Sequence, residues 1–111
     1  MSQLPQNARY MFRYAQRAVE ILATYEGSII ERLTFAGEEL LSIHPDALPD
    51  ELKDQFQAII RYLTEHKADP NSRLPFNTDL HATMRRRRPR TATKIAAQIF
   101  SFYVQYNAIT G

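Results

Sequence analysis

The chain reads as an all-α protein: four main helices in an antiparallel bundle, with a short extra helix before a kinked last helix. Three observations predict this. Apolar residues recur at steps of three and four along most of the 111 residues, which is the repeat of one helix face. Glycine occurs only three times, once as the last residue, and six prolines fall between the periodic runs. No segment alternates Val, Ile or Thr with polar residues in the manner of a half-buried strand.

The first helix is predicted to start near Pro5 to Asn7 and to run to about Tyr25. Leu4, Ala8, Met11, Ala15, Ala18, Leu22 and Tyr25 form its apolar stripe, which Phe12, Val19 and Ile21 widen. Arg9, Arg13 and Arg17 lie four apart on another face, with Glu20 and Glu26 beyond them. That face is read as solvated, with Arg13 or Arg17 pairing with Glu20 at helical spacing. The sharper alternative is a basic stripe that adds to the arginines near residue 85.

Gly27-Ser28 marks a break. Ser28 followed by Glu31 has the form of a capping box, and it opens a second helix from Ile29 to about Ile43. Ile29, Leu33, Ala36, Leu40 and Ile43 are its inner face. The rhythm also passes from Tyr25 to Ile29 by a step of four, so one long helix bent at Gly27 is the alternative. His44-Pro45 through Leu48-Pro49 is a turn, because residues before proline leave the helical region. Pro49 suits the first position of a third helix, whose early Asp50, Glu51 and Asp54 complement the helix dipole. That helix is expected to reach His66, with Leu52, Phe56, Ile59 and Leu63 inward.

Residues 67–77 are a loop, with Leu74 and Phe76 expected to tuck against the core. Thr78 caps a short helix in which Leu80 and Met84 share a face. The same rhythm continues through Arg88 to Ile95, Ile99, Phe102 and Tyr106, straight across Pro89. Proline removes a helical hydrogen bond and clashes with the preceding turn, so a kink or break belongs there, with Thr91 as a new cap. The last helix is apolar over more than half its circumference, as in a central bundle helix or half of a subunit interface.

Composition bounds the class. Hydrophobic residues are 44% and charged residues 23%, near the globular average, and the length predicts one domain over residues 1–111. The absence of cysteine excludes a disulfide framework and a thiolate metal site, and fits a reducing compartment. The polar opening MSQLPQNARY and the lack of an apolar run near ~20 residues predict a cytoplasmic protein with no membrane span.

The net charge of +2 is unevenly spread. Residues 31–70 carry four cations against nine acids, and residues 71–111 carry seven cations against Asp79 alone. Such a dipolar chain can fold its basic segment over its acidic one, or pair head to tail with a neighbour. Arg85, Arg86, Arg87, Arg88 and Arg90 therefore have two readings. They bind anions or a partner, jointly with Arg9, Arg13 and Arg17; or they pair with this chain's own Glu38, Glu39, Asp46, Asp50 or Glu51. Arginine meets carboxylate and phosphate with equal facility, so residue type does not decide. Arg88 is expected over the apolar stripe, in need of a carboxylate or a route to solvent.

His44, His66 and His81 stand near helix ends without metal-ligand spacing, so no metal and no cofactor is expected. Arg61 and His66 are separated by four residues, a spacing similar to that of the small all-α HEPN ribonucleases. The resemblance covers these two residues, and Tyr62 stands where that family commonly has a polar residue. It implies Arg61 on a phosphate and His66 in acid–base chemistry. No phosphate cradle, nucleophile elbow or paired-carboxylate site is present.

Aromatic residues crowd the first and last helices, and tyrosine suits interfaces because its ring packs while its hydroxyl stays wet. Tyr10, Tyr14, Tyr103 and Tyr106 are the expected interface aromatics. The sequence thus predicts a non-enzymatic protein of adaptor or regulatory type, acting by protein–protein interaction as a homodimer or with a protein partner. A nucleic-acid-binding regulator is the second reading and a small ribonuclease the remote one.

Overall fold

The computed structural model describes residues 7–73 and 78–110. The expectations for Leu4, Pro5, Leu74 and Phe76 fall outside them. Five α-helices form the fold, and among the described residues there is no strand.

Helix α1 (Ala8–Thr24) buries Ala8, Ala15, Ala18 and Ile21. Three alanines on that line let neighbouring helices approach closely. Tyr25, expected at the end of the stripe, lies beyond the helix and is exposed. Gly27 has φ +121°, a conformation that side-chain-bearing residues avoid, and it separates α1 from α2 (Ile29–Leu40). The capping box is formed: Ser28 Oγ accepts from the Glu31 N–H at 3.1 Å, and the Glu31 carboxylate accepts from the Ser28 N–H at 3.4 Å. These features replace the single bent helix with a helical hairpin. Arg17 reaches Glu39 and Tyr25 packs near Phe35, so the two helices run antiparallel.

Helix α2 ends at Leu40, earlier than its apolar rhythm suggests, and Ile43 is buried from the following turn. His44 takes the extended conformation that Pro45 imposes, and a 3-10 turn covers Pro45–Ala47. Pro49 is the residue before α3 (Asp50–Leu63) rather than its first. Leu52, Phe56, Ile59 and Leu63 all face inward as their spacing predicts. The helix stops at Leu63, short of His66.

Thr78 caps α4 (Asp79–Met84) by accepting from the His81 N–H at 3.2 Å, and Leu80 and Met84 are buried. The rhythm from α4 to α5 (Pro89–Thr110) is interrupted by a full break, not a kink. Pro89 is the first residue of α5, where its missing N–H matters least; Thr91 does not cap a new helix.

Phe12 packs against Tyr103 and Ala8 against Tyr106, so α5 runs antiparallel to α1. Phe56 meets Phe102, and Tyr62 meets Arg87 just before α5, so α5 is antiparallel to α3 as well. Helix α4 lies against α2 and α3. Leu33, Leu40, Phe56, Leu63, Leu80, Ile95, Ile99, Phe102 and Tyr106 are among the members of one contiguous core. Among the described residues Thr83 is the buried polar one, and it is satisfied: its hydroxyl accepts from the His66 N–H at 2.8 Å and donates to the His66 carbonyl at 3.2 Å. Among the described residues no helix is long and apolar enough to cross a membrane.

Candidate interaction surfaces

The arginine run divides by direction. Arg85, Arg86, Arg88 and Arg90 are exposed, whereas the Arg87 side chain is only 14% exposed. Arg87 Nη2 donates to the Glu65 carboxylate at 2.6 Å and to the Tyr62 carbonyl at 2.8 Å. Its guanidinium lies 3.8 Å from the centre of the Tyr62 ring. The inward arginine is thus Arg87, not Arg88. Its carboxylate is Glu65, two residues past the end of α3, not Glu38, Glu39, Asp46, Asp50 or Glu51. The hydrogen bond from Arg87, reinforced by its charge, holds the Glu65 carboxyl below the usual carboxylate range. Arg86 Nη1 sits 3.3 Å from His66 Nδ1.

The two groups of arginines do not share a face. Ala8 meets Tyr106, which is about 25 Å along α5 from Pro89 at the α-helical rise. Arg9 and Arg13 therefore lie toward the far end of α5 from residues 85–90. Arg17 pairs with Glu39 at 3.5 Å rather than with Glu20. Arg13 lies over the rings of Tyr10 and Tyr14, 5.3 and 5.9 Å from their centres.

Of the four tyrosines expected at an interface, Tyr106 is not available. It is fully buried, and its hydroxyl donates to the Ala8 carbonyl. Burial pushes its phenol up to about 12. Helical phase decides this, since Tyr106 continues the buried line of Ile95, Ile99 and Phe102. Tyr10 is 56% exposed, and Tyr14 and Tyr103 are half-buried. Tyr103 links surface to core: its ring stacks on Phe12 at 5.4 Å and lies 6.3 Å from the exposed Phe100.

The sequence points to the last helix as half of an interface but to Tyr103 and Tyr106 as its aromatics, whereas the side of α5 opposite the core carries other residues. Ala97, Phe100, Ser101, Val104, Gln105 and Ala108 are exposed there, with Phe100 at 54% and Val104 at 47%. From Ile95 to Thr110 the helix carries no charged residue. That charge-free run, placed in phase against the core line, was the signal in the sequence.

Of the ribonuclease-like pair, Arg61 lies in the last turn of α3 and His66 beyond the end of that helix. Among the described residues, no group of three His, Asp or Glu side chains could hold a metal ion. A cavity of about 320 Å³ opens beside α2, lined by Glu31, Thr34, Phe35, Glu38 and His81. No protein-family model matches the chain, and neither a characterised protein nor a solved structure matches it.

Proposed function

We propose that the protein acts by protein–protein interaction, as an adaptor or regulator, and that it self-associates through the outer face of α5. The observation that carries this reading is the exposed, charge-free surface bearing Phe100 and Val104. Large apolar side chains on the solvent side leave a hydrophobic gain that a partner face collects. A second copy is the occupant this face suits. With no charge between Lys94 and Thr110, the face can meet itself about a two-fold axis without opposing like charges. Tyr103, Phe12 and Tyr106 stiffen it from beneath through their ring contacts.

Sedimentation velocity at micromolar concentration is expected to show a dimer. Phe100→Glu and Val104→Glu are each expected to give a monomer of unchanged helical content. A native protein that sediments as a monomer, or charged variants that remain dimeric, would remove this face from consideration.

A second reading rests on the exposed Arg85, Arg86, Arg88 and Arg90 around Pro89, a cluster suited to the phosphates of a nucleic acid. Binding to a short duplex should then be strong at low salt and fall steeply as salt rises. Absence of binding at low salt counts against it.

A further inference from the structure

The cavity beside α2 belongs to neither reading above. Glu31, Phe35 and Glu38 stand at steps of four and three on one side of α2. The two glutamate positions are therefore about 10 Å apart along the axis, with an aromatic residue between them. Phe35 is 47% exposed, and the Tyr25 ring lies 5.9 Å from it. His81 closes the far side from α4. Its Nδ1 is 2.6 Å from Thr78 Oγ1 and its Nε2 is 3.3 Å from Glu38 Oε1. The imidazole thus bridges the Thr78 hydroxyl and the Glu38 carboxylate and fixes where that carboxylate stands.

Leu80 of α4 packs closely over Gly37 of α2. A Cβ there would lie 3.0 Å from Leu80 Cδ1 and 3.5 Å from Leu63 Cδ1, so the side chains packed on it would have to shift.

We propose that this cavity binds the guanidinium or ammonium end of an arginine or lysine side chain from a partner segment. A cation with an apolar stem matches what lines it. Phe35 offers a ring face to the cation and Glu38 a charge-assisted hydrogen bond, while Glu31, held in the capping box, adds negative charge at the other end. A volume of about 320 Å³ sits at the small end of ligand sites and suits one extended side chain rather than a folded surface. Charge complementarity favours the same occupant, since residues 31–70 carry nine acids against four cations.

The test is an NMR titration of the isotope-labelled protein with Nα-acetyl-arginine amide. Nα-acetyl-citrulline amide serves as the neutral isostere, and spermidine as a free polyamine. Saturable shifts are expected at Glu31, Thr34, Phe35, Glu38 and His81 with the arginine probe, and binding about tenfold weaker with citrulline. Glu38→Gln and Phe35→Leu should each weaken the arginine probe by about tenfold, with helical circular dichroism retained. Equal binding of citrulline, no saturable shift at these residues, or unchanged affinity in both variants overturns the site. Tighter binding of spermidine than of the arginine probe overturns its assignment to a side chain.

Discussion

At the scale of single residues, Tyr106 is the most constrained. Its hydroxyl finds one acceptor, the Ala8 carbonyl, and its ring lies edge-on to both Phe12 and Phe102. A phenolate has no place there, which is why the group is pushed up from 10.0 to about 12. The sign follows from proton binding. The folded state keeps this proton after the unfolded chain has released its own, so stability falls as pH rises from 10.0 toward 12. Tyr106→Phe is expected to remove that alkaline component and to lose about 1 kcal/mol at neutral pH with the hydrogen bond. Chemical denaturation at pH 7 and pH 11 measures both; an identical pH dependence in the variant contradicts the account. The burial of Tyr106 was legible in its spacing from Phe102 and Ile99. What misled was residue type: tyrosine suits a wet interface, but here the helix supplies an internal acceptor instead. Arg87 shows the reverse. A helical step from Met84 points to Arg88, yet residues 85–88 lie between α4 and α5, where the helical angle no longer applies.

At the scale of elements, two breaks shape the bundle, and they were unequally readable. The α1–α2 turn carries local chemistry that the sequence displays: a glycine, then serine and glutamate at capping distance. The α4–α5 break was readable in position, because proline ends a helix, but not in direction, because nothing local sets how the chain turns between two helices. The first break gives a test. Gly27→Ala puts a side chain on a backbone at φ +121° and within 3.2 Å of the Glu31 carboxylate. The expected loss is about 1–3 kcal/mol, since both backbone strain and the cap are affected. Thermal unfolding followed by circular dichroism checks this, and a variant as stable as the native protein would mean that the hairpin tolerates another turn.

At the scale of the whole molecule, the segment that follows α3 is tied to α4 and to the residues after α4 by carboxylates. Glu65 accepts from Arg87, and Asp79 accepts from the Ala68 N–H at 2.8 Å and from Lys67 at 3.3 Å. The backbone bond from Ala68, then the bond from Lys67, hold the Asp79 carboxyl below its usual range, as Arg87 does for Glu65. Lowered carboxylates contribute stability that is complete above their ordinary values of 3.8 and 4.5 and is lost as pH falls through the folded values. The double variant Asp79→Asn, Glu65→Gln should be less stable than the native protein at neutral pH and lose less on acidification. Denaturant midpoints from pH 7 to pH 3 test it; parallel curves for the two proteins rule it out. The charge asymmetry along the chain allowed basic and acidic segments to meet, within the chain or with a neighbour. It did not name the partners, because these depend on where α4 sets the chain down. The bond between Tyr106 and Ala8 also orders events in time. These residues are 98 positions apart, so α1 gains its α5 contacts only after nearly the whole chain has been made. Until then the side of α1 that α5 covers stands bare, and during synthesis that flank of the nascent protein is open to a chaperone or to aggregation.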